Sequence, residues 1–271
     1  MMFDNAFFLP LTYPFMQQAL LIALFISSSC ALLSCYLVLR GWSMLGDAMA
    51  HAMTLGVVIA ILIGIPISIG ALGAALLCVV STDALDQQTH LPADSLLGIV
   101  FSGMMALGML LYSIFQPAEP LSKILFGNIL GIQAIDFWQT LLISIAVIIV
   151  ILLKWKDFLL YVFDENHAHI SGLSRQHLRY TLLVLVALTA VAAMQAVGVI
   201  LIVAMLVAPG ITGQMCCRRF SMMLIVAVFS AILASFSGLL ASFYWNASPA
   251  ACIVLSQGII FMSACIYRAM R

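Results

Sequence analysis

The sequence predicts an all-α fold, a polytopic bundle of about eight or nine transmembrane helices forming one domain over residues 1–271. Three observations carry this expectation. Hydrophobic residues fill 65% of the 271 positions and charged residues only 7%, a balance outside that of soluble domains. The few charges are separated by long charge-free intervals, matching the roughly 20 apolar residues that a helix needs to cross the hydrocarbon layer. The basic residues also fall almost entirely on one side of the topology that these intervals define.

The first span fits 17–39, between Asp4 and Arg40. The interval 52–82 holds two shorter spans broken near Gly64, Ile65 and Pro66, where proline removes a helix donor. Single spans fit 95–116 and 137–153. The interval 180–217 has room for two more with a break at 194–198, and 220–267 holds a final pair separated by "YWNASP", 244–249. The count is nine, or eight if one short pair is re-entrant.

Nine crossings with a cytoplasmic C-terminus put Arg40, Lys154, Lys156, Arg175, Arg179, Arg218, Arg219, Arg268 and Arg271 inside and leave only Lys123 outside. The loop 83–94, "DALDQQTHLPAD", is then cytoplasmic yet carries no Lys or Arg. No basic region precedes the first apolar stretch, so a cleaved signal peptide is not expected.

Several function classes are excluded. Ten basic and ten acidic residues give zero formal net charge, and no basic run interleaved with aromatics suggests a nucleic-acid partner. The longest hydrophilic stretch, 154–179, is too short to fold as a domain. No GxxxxGK[ST] loop is present, so any ATP chemistry belongs to another subunit, and the chain is not itself an enzyme. Seven cysteines at positions 30, 35, 78, 216, 217, 252 and 265 suggest neither a disulfide framework nor a CxxC site.

Two polar segments remain. "FDENHAHISGLSRQHLRY", 163–180, reads as a short amphipathic helix, a break at Gly172 and a second helix start. Of its histidines 167, 169 and 177, the first two could bind a metal, but a solvated cytoplasmic linker is the preferred reading because an i,i+2 pair cannot share a helical face. In "LVAPGITGQMCCRRF", 206–220, an apolar span is expected to end at Pro209-Gly210. Beyond that break the chain forms either a short helix on the membrane surface or a tight turn anchored by Arg218 and Arg219.

The most informative stretch is "RGWSMLGDAMAHAMTLGVV", 40–58. Ser43 is expected to cap a new helix whose first turns hold Asp47 and His51 on one face, at i,i+4. A carboxylate in a span costs several kcal/mol unless it is paired or wet, so this face is expected to point into protein or water. Two readings are open: an intrahelical hydrogen bond that packs the bundle, or a pair of metal ligands. Carboxylate oxygen and imidazole nitrogen suit divalent Mn, Fe or Zn rather than Cu(I). Gly46, Ala48, Ala50 and Ala52 leave room for a second helix or subunit to complete the coordination. Two ligands hold a metal weakly, which suits a conduit that must release it. Met44, Met49 and Met53 read as adaptable packing more than as soft ligands.

These residues also carry a resemblance. "YLVLRGWSMLGDAMAHA", 36–52, resembles the segment that comes after the first span in the membrane subunits of bacterial metal ABC importers. "ILFGNILGI", 124–132, "FDENHAHISGL", 163–173, and "MQAVGVILIVAMLVAPGITG", 194–213, look like three further family segments in the expected order. Among relatives the chain looks closest to the chelated iron and manganese permeases. It departs from them in reading Ala50-His51-Ala52-Met53-Thr54-Leu55-Gly56 where they have Ser-His-Ala-Val-Leu-Pro-Gly, and in having Pro92-Ala93 where they carry basic residues.

The resemblance implies an inner-membrane permease that imports divalent metal by alternating access, with the metal as cargo and no permanently bound cofactor. Its implied partners are a cytoplasmic ABC ATPase dimer, a second identical or related permease subunit and a periplasmic metal-binding protein. Asp47 and His51 would be the metal-coordinating pair. Pro209, Gly210, Ile211, Thr212, Gly213, Gln214 and Arg218 would belong to the helix that couples to the ATPase. Separately from the resemblance, segment 116–135 with Glu119 and Lys123 is the outer-face candidate for contact with the binding protein. The rival reading, an ATP-independent secondary carrier, is weakened by the scarcity of intramembrane carboxylates.

Overall fold

The computed structural model describes residues 9–89, 93–116 and 131–270. After a 3-10 turn at Leu9–Thr12, the described residues form α1 (Pro14–Arg40), α2 (Leu45–Ile63), α3 (Ile67–Thr89), α4 (Ala93–Phe115) and α5 (Ala134–Leu153). Two short helices come next, α6 (Trp155–Phe163) and α7 (Glu165–Ile170). The chain then continues through α8 (Arg175–Val197), α9 (Val199–Cys216), α10 (Phe220–Trp245) and α11 (Pro249–Ala269). Eight of these are long and apolar enough to cross a membrane, and the apolar stretch of α9, Leu201–Cys216, is shorter.

The helix ends fall where backbone chemistry requires them. Gly41 closes α1 in the left-handed region (φ 77°), its N–H donating to Leu37 and Val38 carbonyls. Gly64 closes α2 in the same way (φ 81°), just before Pro66. Asn246 (φ 47°) ends α10, and Pro249 starts α11, where a missing N–H costs nothing. Ser174 caps α8 by accepting from the His177 N–H.

Contacts across the bundle set the topology. Arg40 pairs with Glu165 and Arg179 with Asp83, so the C-terminal parts of α1 and α3, the start of α7 and the start of α8 share one face. At 1.5 Å per residue the 23-residue α8 rises about 34 Å, so Val197 lies at the opposite face. The next helix, α9, returns: the Gly210 N–H meets Ser34 Oγ at 2.9 Å, and Phe220 beyond its end packs on Tyr36 with ring centroids 5.1 Å apart. Phe243 near the end of α10 lies 6.1 Å from Tyr13, at the far face. The last helix, α11, comes back to set Cys265 Sγ 3.6 Å from Met215 Sδ. The short α9 therefore runs back toward the face that holds Arg40, while eight helices among the described residues are long and apolar enough to cross a membrane, within the eight or nine expected.

The innermost helices are α1, α2 and α8, whereas α4, α5 and α11 are mostly peripheral. The α2–α3 hairpin closes on glycines. A Cβ on Gly56 would lie 2.0 Å from the Gly70 carbonyl oxygen, and one on Gly70 would lie 2.4 Å from that of Gly56. Without the hydrophobic effect between helices in lipid, such close backbone approach supplies the dispersion contacts that hold them together.

Two expectations need correction. The helix does not end at Pro209-Gly210; α9 runs unbroken to Cys216 with Pro209 inside it. Proline removes one N–H from the ladder, but Ser34 of α1 accepts from the Gly210 N–H and donates to the Val207 carbonyl at 3.1 Å, so a neighbouring helix repairs the polar groups. The expected loop 83–94 is also helical as far as Thr89. Segment 124–130, with most of "ILFGNILGI", lies outside the described residues, as do Glu119 and Lys123.

Candidate metal-binding site

The site is built at the start of α2. The chain leaves the Gly41 turn, and the Leu45 N–H already reaches the Trp42 carbonyl at 3.1 Å. This wound entry makes Met44, in right-handed conformation, the cap residue, with no side-chain capping bond. The expected Ser43 cap is therefore not made, because the turn satisfies the backbone first. Asp47 lies in the first helical turn, where the helix dipole favours a carboxylate.

Asp47 Oδ1 and His51 Nε2 are 3.1 Å apart, and their side chains are 25% and 31% exposed. That separation is within ion-pair reach, the imidazole being charged only when His51 is protonated. It also equals the spacing of about 3 Å between adjacent ligands at right angles on an ion with bonds of roughly 2.0–2.2 Å. The pair can therefore close on itself when empty and open around an ion with little movement. His51 Nδ1 is buried and has no hydrogen-bond partner among the described residues.

Two other helices frame the pair. Gly46 leaves room for Leu206 of α9, which a Cβ there would meet at 2.9 Å. On α4, Phe101 stacks on the His51 ring with centroids 5.7 Å apart and planes inclined by 22°. Among the described residues no group of three or more His, Cys, Asp and Glu side chains could hold a metal. Met49 and Met53 are fully buried, which makes them core packing, while Met44 is exposed. His167 is exposed on α7, its N–H donating to Asp164 Oδ1 at 2.9 Å.

Sequence reasoning missed a charged cluster beside this site. Trp42 lies between two guanidinium groups, 5.5 Å from Arg40 and 6.0 Å from Arg179, and each arginine pairs with a carboxylate from another element. Arg40 also lies 5.2 Å from the ring of Tyr161, whose hydroxyl is buried without a hydrogen-bond partner among the described residues. Burial holds the Tyr161 phenol above its ordinary pKa, against the opposing pull of Arg40 and Arg179. The signal in the sequence was the placement of scarce charges at span ends.

The proposed coupling residues are spread through α9 and the turn beyond it. Pro209, Gly210, Thr212 and Gly213 are buried, Ile211 is half-buried, and Gln214 and Arg218 are exposed. Gly213 is pressed against α10, where a Cβ would come within 2.7 Å of the Met223 carbonyl oxygen. Only the end of the segment reaches the surface.

Comparison with known proteins places this architecture. The profile described as "ABC 3 transport family" matches residues 12–268. The chelated iron transport system membrane protein YfeD of Yersinia pestis is 48% identical over 258 residues, covering 95% of this chain and 87% of that protein. The manganese transport system membrane protein MntB of Synechocystis sp. is 42% identical over 257 residues, covering 95% and 84%. Among solved structures, PsaBC from Streptococcus pneumoniae in complex with Fab superposes with a TM-score of 0.86 at 31% identity, covering 97% of this chain and 95% of that one.

Proposed function

Because the chain belongs to the ABC 3 transport family and is a multi-pass permease of the metal-transporting kind, we propose that it imports divalent manganese or iron, with zinc as the third candidate. The ion passes from periplasm to cytoplasm by alternating access. The observation that carries this reading is the Asp47–His51 pair. A carboxylate oxygen and an imidazole nitrogen sit 3.1 Å apart on an inner helix, each partly accessible. These are hard and borderline donors suited to Mn, Fe and Zn.

Two ligands bind an ion weakly enough to let it go. A second permease subunit, identical or related, supplies the rest of the coordination. A periplasmic metal-binding protein delivers the ion to the outer mouth, and a cytoplasmic ABC ATPase dimer drives the cycle. The permease transmits that drive through 209–218, whose exposed Gln214 and Arg218 lie beyond the buried part of α9. In the bacterial inner membrane the basic face, which includes the end of α11, is cytoplasmic. The relatives' names support iron and manganese as cargo.

The test is metal accumulation in cells expressing the complete transporter, scanning Mn, Fe and Zn. Asp47→Ala and His51→Ala should each abolish selective uptake while the subunit remains inserted and assembled. Undiminished uptake by both variants would overturn the ligand assignment.

A further inference from the structure

A metal-bound histidine ordinarily donates its second ring N–H to a carboxylate, a carbonyl or water, and that bond fixes the ring. His51 lacks such a partner among the described residues. Its Nε2 faces Asp47 Oδ1, while Nδ1 is buried with no hydrogen bond. What orients the imidazole must therefore be packing against its faces, and the aromatic ring stacked there is Phe101.

The backbone is arranged to bring that ring in. A Cβ on Gly108 would lie 2.9 Å from both the N and the Cα of Leu55, so α2 and α4 touch backbone to backbone at that level. Leu55 is one turn beyond His51 and Gly108 about two turns beyond Phe101, so both contacts lie along one face of each helix. The glycine lets the helices close, and closure sets the Phe101 ring on the imidazole.

We propose that Phe101 is a positioning residue for the metal site, its ring holding the His51 imidazole so that Nε2, not Nδ1, meets the divalent transition-metal ion beside Asp47. The inference rests on Asp47 and His51 being ligands. Rotation about the last side-chain torsion of histidine is broad and roughly two-fold. An unsupported ring spends part of its time with the wrong nitrogen forward. Leucine at 101 fills much of the volume but cannot stack on the ring, whereas tyrosine keeps the aromatic face.

The experiment measures equilibrium binding of Mn2+ and Co2+ to the purified, assembled transporter, alongside Mn2+ uptake kinetics. Phe101→Leu should weaken Mn2+ binding about tenfold, the lower end of what loss of a ligand-orienting partner costs. It should raise the uptake KM with little change in maximal rate and alter the visible spectrum of bound Co2+. Phe101→Tyr should restore all three. Phe101→Ile serves the same purpose should the leucine variant not assemble. Wild-type Mn2+ affinity in Phe101→Leu, with binding lost in His51→Ala, overturns the positioning role alone. Equal loss in the leucine and tyrosine variants overturns it too, as a packing effect. Wild-type binding by His51→Ala overturns the ligand reading itself.

Discussion

Ser34 of α1 and Gly210 of α9 are joined across the bundle at the point where Pro209 interrupts the α9 ladder. The Gly210 N–H donates to Ser34 Oγ at 2.9 Å, and that hydroxyl donates to the Val207 carbonyl at 3.1 Å. Ser34→Ala leaves a buried N–H without this acceptor, so the purified transporter should lose roughly 1–3 kcal/mol of stability, read as a lower thermal midpoint. Gly210→Val should be worse. Its Cβ would lie 2.6 Å from the Ser34 carbonyl oxygen, a backbone atom that cannot swing aside, so little assembled protein is expected. An unchanged midpoint in Ser34→Ala would show that the ladder is repaired elsewhere.

The two ion pairs of the basic face should differ in strength. In the Arg179–Asp83 pair the Asp83 side chain is only 11% exposed although Arg179 is 36% exposed, whereas Arg40 and Glu165 are 26% and 32% exposed. Asp83→Asn is expected to cost about 1 kcal/mol or somewhat more, with part of it retained in molar salt because the buried carboxylate end is less screened. Glu165→Gln should cost under about 1 kcal/mol and respond to salt. Denaturation at low and high ionic strength distinguishes them, and equal losses would refute the ranking.

Thiol labelling should report both topology and protonation. Cys30, Cys35, Cys78 and Cys252 are buried, while Cys265 and, at the basic face, the pair Cys216 and Cys217 are partly accessible. A membrane-impermeant maleimide should label the latter pair in inverted vesicles and not in right-side-out ones. Desolvation, then neighbouring Cys216, holds the Cys217 thiol above its ordinary pKa. At any given pH less of it is thiolate, so its labelling rate should keep rising beyond the usual thiol range near about 8.5. Labelling from the opposite side would reverse the assigned orientation.

Most of the helix boundaries were legible in the sequence, because lipid enforces a local rule on charges and backbone polar groups. The breaks at Gly64 and Gly198 were readable as well, since both glycines adopt positive φ, of 81° and 88°. The Asp47–His51 pair was readable from its spacing, because one helical turn brings side chains together without any tertiary information. The continuity of α9 was hidden, since the hydroxyl that repairs its proline lies 176 positions away from Gly210. Phe101 was hidden for a different reason. In a span full of apolar side chains, nothing local separates a phenylalanine that packs on lipid from one that packs on an imidazole.

In the proposed pathway the cluster around Trp42 would also set the field that a passing ion meets. Two guanidiniums flank this tryptophan, which stands a short way ahead of Asp47 in the chain. A dication roughly 10 Å from an unpaired arginine would be repelled by about 3 kcal/mol at an effective dielectric of about 20. Glu165 and Asp83 cancel those charges one for one. This face thus keeps its arginines as rivets between helices while staying electrically flat, as the proposed passage of a metal ion would require.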